Sequence, residues 1–182
     1  MYMCNEVIII AAAASNNVIG KDNKIPWHFS EDFKHFKELT LNHPIIMGKN
    51  TFLSLPKKPL PNRDNIVLTF KDDSFDFSEI IIKHSLEDSI SYAKQKDSKI
   101  YIIGGAFVYK QAIEFADKIE LTKIYKEYDG DTYFPEIDLN KWDLISEDKK
   151  EFFSFQTYIR KKGNKYDFRI NWVFSLWKRN CY

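Results

Sequence analysis

The chain has 182 residues, of which 44% are hydrophobic, and this length and composition suit one domain with a single sizeable core. Its 27 basic and 26 acidic residues nearly cancel and are scattered along the sequence, which argues against a nucleic-acid partner. The two cysteines and four histidines form no metal-ligand spacing, so the sequence predicts no metal site, and so few cysteines suit a reducing compartment such as the cytoplasm.

Short apolar runs alternate with helical patterns through the first two thirds of the chain. Residues 7–13 predict a strand buried on both faces, and because this apolar run is too short to cross a bilayer we expect no membrane association. Residues 16–24 form a polar loop of a length that usually serves a function. A helix follows, with Ser30 as its N-cap, and runs to about Thr40.

The later segments predict a mixed sheet. In chain order they are strand 43–48, a short helix over 49–55, strands 65–70 and 79–83, helix 85–96, strand 99–103, helix 106–115, and strands 118–126, 142–147, 151–161 and 165–178. Alternating strands and helices favour parallel pairing, and the run of strands at the end favours an antiparallel finish. The sequence therefore predicts an α/β fold: a central, mostly parallel sheet with an antiparallel C-terminal strand or hairpin, flanked by about four helices.

Asp32 is a candidate catalytic carboxylate. On the predicted helix it shares one face with Phe36 and Leu39, at positions i, i+4 and i+7, whereas Glu31 lines up with His35 on a polar stripe. An acid that faces aromatic side chains loses solvation, which shifts its pKa and suits it to proton transfer or to binding a cationic ring. An acid in a first helical turn also complements the helix dipole, and from this segment alone that explanation is the more common one.

Two junctions between a strand and a helix suit phosphate groups. Gly104 and Gly105 follow one buried strand, and Gly48 follows another, with Lys49 and Thr51 directly after it. Glycines at such a junction let backbone N–H groups approach a phosphate. Neither segment is a complete dinucleotide or P-loop motif, and a tight turn is the common alternative. Two such junctions in one α/β chain favour a ligand site, because ligands bind at the carboxyl ends of the strands in open sheets.

Taken in order, these segments resemble dihydrofolate reductase over residues 7 to 145. The segments that carry the resemblance are Ala11-Ala12 with Val18-Ile19-Gly20, Pro26-Trp27 with Asp32 and Phe36, Pro44-Ile45-Ile46-Met47-Gly48-Lys49-Asn50-Thr51-Phe52, Pro59-Leu60-Pro61 with Arg63-Asp64-Asn65, Ile103-Gly104-Gly105 with Tyr109, and Gly130-Asp131-Thr132-Tyr133-Phe134-Pro135. The resemblance implies the family's fold and the NADPH-dependent reduction of 7,8-dihydrofolate to 5,6,7,8-tetrahydrofolate by hydride transfer, which supplies one-carbon metabolism and thymidylate synthesis.

The resemblance also implies a domain plan and a set of partners. Residues 1–182 would form one domain, with an adenosine-binding subdomain at about 44–115 and an extended C-terminal hairpin or tail at about 150–182. The protein would be a monomer whose partners are small molecules: dihydrofolate, NADPH and antifolate inhibitors.

Roles for individual residues follow from the same resemblance. Asp32 would pair with the pterin amino group and ring nitrogen, Thr122 would donate to Asp32, and Trp27 would lie near the water that supplies the proton. The implied substrate-binding residues are Ile10, Ala12, Phe33, Phe36, Leu55, Leu60, Arg63 and Ile103, among which Arg63 would bind the glutamate α-carboxylate. The implied cofactor-binding residues are Ala12, Ile19, Gly20, Gly48, Lys49, Asn50, Thr51, Thr69, Ile103, Gly104, Gly105, Ala106, Phe107, Val108 and Tyr109.

The chain also departs from the family in several places. Lys49 replaces the arginine of many relatives at the implied 2′-phosphate site, and Phe33 and Ile25 stand where other apolar side chains are common. Either residues 165–170 or residues 172–178 would be the closing strand of the sheet. Two other functions remain open at this point: the NADPH-dependent reductase of riboflavin biosynthesis, which acts on a ribosylated pyrimidine, and a non-catalytic protein that kept the fold.

Overall fold

A sheet of eight strands forms the centre of the fold in the computed structural model, which describes residues 5–69 and 79–161. In chain order the described elements are β1 Glu6–Ala13, β2 Val18–Gly20, α1 Ser30–Thr40, β3 Ile45–Gly48, α2 Lys49–Ser54, β4 Asn65–Leu68, β5 Ile81–Lys83, α3 Leu86–Lys94, β6 Lys99–Gly104, α4 Ala106–Ala112, β7 Lys118–Ile124, β8 Thr132–Tyr133, β9 Trp142–Lys149 and β10 Phe153–Arg160. The large sheet has the order β5-β4-β3-β6-β1-β7-β10-β9, and β2 pairs with β8 in a separate ladder.

The six strands from β5 to β7 are parallel, and helices cover both faces of this part. On one face of β1, Ile8 and Ile10 pack into a cluster that also receives apolar side chains of α1 and α2. On the other face, Val7 and Ile9 pack into a cluster that includes side chains of α3 and α4. The predicted burial of residues 7–13 on both faces is therefore confirmed, and so is the predicted α/β class.

The predicted antiparallel finish is also confirmed. β10 pairs antiparallel with β7 on one side and with β9 on the other. Within the described residues, the position beside β7 belongs to residues 153–160, which correspond to the predicted strand 151–161. The predicted strand 165–178, and both candidates for a closing strand, lie outside the described residues and stay predictions.

Two local predictions are wrong. Phe29, not Ser30, is the N-cap of α1, because the amide N–H of Phe33 donates to the carbonyl oxygen of Phe29 and places Ser30 inside the helix. The segment 16–24 is not all loop, since β2 lies within it and pairs antiparallel with β8. Strands of two and three residues depend on each other for their hydrogen bonds, so neither segment shows a strand pattern by itself.

Other element ends fall within a few residues of the prediction. α3 begins at Leu86 because the Ser85 side chain accepts a hydrogen bond from the Asp88 amide at 3.1 Å, while α4 ends at Ala112 rather than at residue 115. None of the described helices is both long and apolar enough to cross a membrane.

Candidate active site

A cleft of about 1150 Å³ opens at the carboxyl ends of β1, β3 and β6, between α1 and the two glycine junctions. In open α/β sheets this is the edge at which ligands bind. Every residue of the predicted catalytic, substrate-binding and cofactor-binding sets lines this one cleft. The fold thus brings together segments that are far apart in the sequence.

Asp32 lies at the inner wall of the cleft and is 9% exposed. The Thr122 hydroxyl donates a hydrogen bond from Oγ1 to Asp32 Oδ1 at 2.6 Å. Burial raises the pKa of Asp32 above its usual value, while the Thr122 hydrogen bond and the charge of His35 act to lower it. A carboxylate accepts about four hydrogen bonds, so Asp32 retains capacity for donors from a ligand in the cleft.

The helix face predicted for Asp32 is confirmed. Phe36 and Leu39 are partly buried and pack against the core cluster that holds Ile8 and Ile10. The acid therefore stands beside apolar side chains rather than in bulk solvent, which is why burial dominates its pKa. Balance of the helix dipole does not account for an acid placed in this way.

Trp27 contributes a second buried polar atom to the cleft. The residue is 7% exposed, and its ring contacts the Tyr128 ring with centroids 5.1 Å apart. Among the described residues, the buried Nε1 has no hydrogen-bond acceptor. A buried unpaired N–H group costs about 1–3 kcal/mol, so this position suits a water molecule or a ligand acceptor.

The two predicted glycine junctions lie side by side, at the ends of the neighbouring strands β3 and β6. Gly104 has φ +138°, and a Cβ added there would lie 3.2 Å from the Thr51 side chain. A Cβ added at Gly105 would lie 3.1 Å from Thr51 Oγ1. The N-caps of α2 and α4 are Gly48 and Gly105, and glycine has no side chain that could cap the first N–H groups of a helix. The junctions therefore form a narrow cradle of backbone that fits a pyrophosphate.

Tyr109 joins α4, which follows the Gly104–Gly105 junction, to β1. Its hydroxyl donates to the Ile10 carbonyl oxygen at 2.7 Å, and the whole residue is buried. Burial raises the pKa of Tyr109 above its usual value, and the nearby charge of Asp32 adds to this effect. Tyr109 therefore stays protonated and holds α4 against β1.

Arg63 stands at the outer end of the cleft. Its Nη1 donates to Thr40 Oγ1 at 3.0 Å, and its Nε donates to the Pro61 carbonyl oxygen at 3.1 Å. The guanidinium carbon lies 6.0 Å from the centre of the Phe36 ring. Burial lowers the pKa of Arg63, but an arginine stays charged in proteins. These contacts orient a planar cation that matches a carboxylate.

A model of the dihydrofolate reductase family matches residues 6–166. The chain belongs to the dihydrofolate reductase family. The predicted enzyme class and the NADPH cofactor are confirmed with it. The competing interpretations, a pyrimidine-reducing enzyme and a non-catalytic protein, are thereby set aside.

Individual dihydrofolate reductases match most of the chain. The enzyme of Bacillus subtilis (strain 168) is 38% identical over 163 residues, which are 87% of this chain and 95% of that protein. The enzyme of Haemophilus influenzae is 39% identical over 163 residues, which are 89% and 94% of the two chains. A solved structure of dihydrofolate reductase from Enterococcus faecalis, complexed with NADP(H) and RAB-propyl, has a TM-score of 0.80 and 34% identity, and covers 89% of this chain and 100% of its own.

Sequence reasoning missed several residues that line the reductase cleft. Glu120 lies two residues before Thr122 on β7, and strand alternation alone places both side chains on one face. His35, which the sequence placed on a polar stripe, is half-buried and lines the cleft three residues after Asp32. The other missed lining residues are Ala11, Asn23, Lys24, His28, Lys37, Ser54, Pro56, Lys57, Pro61, Leu68 and Thr132.

The departures Phe33 and Ile25 both line the cleft of this reductase and remain about half exposed, at 40% and 50%. The Phe33 ring lies 5.2 Å from the His28 ring. The shape of the cleft wall therefore depends on these bulky side chains.

Residues 129–134 contact the segment 16–24, part of which lines one side of the cleft. The Asp131 amide donates to the Gly20 carbonyl oxygen at 3.1 Å, and the Asp22 amide donates to Asp131 Oδ2 at 3.0 Å. Lys21 forms an ion pair with Asp129. Gly130 lies between these contacts, so there is no room for a side chain at that position.

We expect Gly130→Ala to slow hydride transfer about tenfold. The added Cβ would lie 2.3 Å from Val18 Cγ1 and 2.7 Å from the Gly20 carbonyl oxygen, so β2 must move away from β8. Ile19 and Gly20 of β2 line the cleft, so this movement displaces part of the site. A misplacement of about 1 Å costs up to roughly 10²-fold in rate, and a loss of about tenfold is expected for this smaller displacement. Single-turnover kinetics with NADPH and dihydrofolate measures the effect.

The double variant Gly130→Ala/Val18→Ala provides the control. It removes the overlap with Val18 but keeps the one with the Gly20 oxygen, so we expect partial recovery. An unchanged hydride-transfer rate in Gly130→Ala would show that the β2–β8 ladder adjusts without cost.

Proposed function

We propose that the cleft reduces dihydrofolate with Asp32 as the group that anchors the pterin ring. The observation that carries this proposal is a buried carboxylate, held by the Thr122 hydroxyl at 2.6 Å, at the inner wall of a cleft large enough for a folate and a dinucleotide. The pterin amino group and the adjacent ring nitrogen present two N–H donors side by side. One carboxylate accepts both in a charge-assisted, bidentate contact.

The anchoring contact also has a chemical effect. A buried negative charge beside the ring stabilises the positive charge that develops when the reacting ring nitrogen gains its proton. Asp32 holds the far side of the ring and therefore does not itself deliver that proton. We propose that a water molecule delivers it, held near the unpaired Nε1 of Trp27.

We propose that the second part of the cleft holds NADPH, and the residues present fit it. A Cβ at Gly104 or Gly105 would crowd the Thr51 side chain at 3.2 or 3.1 Å, and the close backbone of this cradle suits the pyrophosphate. Lys49 at the start of α2 suits the 2′-phosphate. When bound, NADPH supplies the hydride. The remaining predicted cofactor residues surround these positions along the cleft.

Replacing Lys49 with alanine should raise KM for NADPH about tenfold and leave KM for NADH nearly unchanged. A charge-assisted contact contributes about 1.5–3 kcal/mol, and only NADPH carries the 2′-phosphate. Lys49→Arg is the matched control and should retain the preference, because it keeps the charge. Equal effects on both cofactors would remove Lys49 from the 2′-phosphate site.

The direct test of the function is a spectrophotometric assay of NADPH oxidation by the purified protein. We expect rapid oxidation with 7,8-dihydrofolate and none with the ribosylated pyrimidine of riboflavin biosynthesis. Activity on the pyrimidine alone would contradict the proposal.

We further propose that residues 1–182 form one monomeric domain in the cytoplasm. β6, from the candidate adenosine-binding segment 44–115, lies between β3 and β1 in the same sheet, which supports one domain. Every predicted site residue lies on this chain and lines the one cleft, so the site needs no residue from a partner, which supports a functional monomer. The low cysteine content supports a reducing compartment.

A further inference from the structure

His35 lies close to the anchoring carboxylate, one helical turn along α1. Its half-buried ring stacks on the Phe155 ring of β10, with centroids 4.0 Å apart and an angle of 30° between the planes. Phe155 is the cross-strand partner of Thr122, which donates to Asp32. The imidazole is therefore held in the cleft wall beside the Asp32–Thr122 pair by α1 and by the sheet.

Among the described residues, two acids of the sheet lie on the same face as Phe155, and both have lysine partners. Glu120, on the same face of β7 as Thr122, has one carboxylate oxygen 2.6 Å from Lys118 Nζ. Its other oxygen accepts from the Thr157 hydroxyl at 2.7 Å. Asp148 of β9 stands opposite Phe155 and pairs with Lys150 at 3.0 Å.

The charged residues of α1 that neighbour His35 lie toward solvent. Glu31 and Glu38, at i−4 and i+3, are both exposed, and Glu38 pairs with Lys34 at 3.8 Å. Asp32, by contrast, is buried, and the hydroxyl of Thr122 that holds it carries no charge. Among the described residues, His35 is the group whose positive charge acts on this carboxylate.

We propose that His35 is a positioning residue for Asp32, whose protonated imidazole favours the anionic form of Asp32 that binds the pterin. This inference rests on the role proposed for Asp32 above. The electrostatic effect has the sign that this proposal requires: burial raises the pKa of Asp32, and the charge of His35 lowers it.

The test is a pH titration of the Asp32 carboxyl group by NMR, with ¹³C-labelled aspartate in the complex with NADP⁺. Asp32→Asn identifies the signal. In His35→Phe, which keeps a ring against Phe155, and in His35→Gln, we expect the apparent pKa of Asp32 to rise, because the positive charge that lowers it is removed. His35→Lys, which restores a positive charge, should reverse the rise. The pH profile of dihydrofolate turnover should shift in the same direction as the titration.

Thr122→Val calibrates the measurement, because it removes the other partner that lowers the pKa of Asp32. The proposal is overturned if the Thr122 variant shifts the titration and the Phe and Gln variants of His35 do not. It is equally overturned if His35→Lys raises the pKa as much as His35→Phe, since His35 would then act by packing alone. The titration needs no substrate and therefore tests the effect of His35 on Asp32 independently of catalysis. Full activity of Asp32→Asn at neutral pH would overturn the role proposed for Asp32, but it would leave the result of the titration unchanged.

Discussion

Replacing Asp32 with asparagine is expected to lower dihydrofolate turnover at neutral pH by about 10²- to 10³-fold. Asparagine is close to aspartate in shape and can still accept from Thr122, but it carries no negative charge. It therefore does not stabilise the positive charge that develops on the pterin as the ring nitrogen gains a proton. Steady-state kinetics and single-turnover hydride transfer, measured with saturating NADPH, give the size of the loss.

The loss in Asp32→Asn should shrink as the pH falls. In acid, solution protonates a growing fraction of the substrate before it binds, so the variant no longer needs the carboxylate for that purpose. The ratio of wild-type to variant rates should therefore fall steadily from neutral to acid pH. Wild-type turnover at neutral pH, or a ratio that does not change with pH, would contradict the role assigned to Asp32.

A measurement of stability separates this loss from misfolding. Burial raises the pKa of Asp32 in the folded protein above its unfolded value, so the folded state holds the proton more tightly than the unfolded state. The aspartate therefore costs stability progressively as the pH rises from about 4 through the raised pKa. At neutral pH we expect Asp32→Asn to have a free energy of unfolding at least equal to that of the wild type, measured by denaturant titration.

Replacing Arg63 with glutamine is expected to raise KM for dihydrofolate about 100-fold with little change in kcat. Removal of one partner of a partly buried, hydrogen-bonded charge pair costs about 2–5 kcal/mol. The guanidinium, oriented by Thr40 and Pro61 at the outer end of the cleft, is proposed to hold the glutamate tail and not the reacting ring. An interaction that is equal in the ground and transition states changes KM alone.

Two controls sharpen the Arg63 prediction. A pterin substrate that lacks the glutamate tail should show the same KM with the wild type and with Arg63→Gln. With dihydrofolate, the KM of Arg63→Lys should lie between those of the wild type and Arg63→Gln, since lysine keeps the charge but lacks the planar guanidinium. An equal loss with the truncated substrate would mean that Arg63 acts on the shape of the cleft rather than on the tail.

The parts of the fold that sequence reasoning predicted well share a physical cause. A strand buried on both faces has to be apolar at successive positions, so residues 7–13 show it directly. The buried face of α1 appears in the spacing of Asp32, Phe36 and Leu39 for the same reason. Such patterns are local, because each buried position within one strand or helix requires an apolar side chain at that place in the sequence.

The parts that were missed depend on contacts between distant segments. β2 and β8 are short and are stabilised by each other, so neither shows a pattern alone. The N-cap of α1 is set by the hydrogen bond from the Phe33 amide to the Phe29 carbonyl oxygen. Serine is a common N-cap residue, so the sequence favours Ser30 instead. His35 seemed part of a polar stripe because its stacking partner, Phe155, lies 120 positions later in the chain.

The sequence by itself determined the α/β class, the family and a set of candidate residues that all line the cleft, because burial periodicity, glycine junctions and the ordered segments of the family are properties of the linear chain. It did not give the other lining residues, such as Glu120 and His35. Only the tertiary structure decided the electrostatic state of Asp32. Its burial, the hydrogen bond from Thr122 and the charge of His35 come from α1, β7 and β10, which meet only when the sheet is formed. A pKa depends on distance and solvation in space, and these do not follow from separation along the sequence.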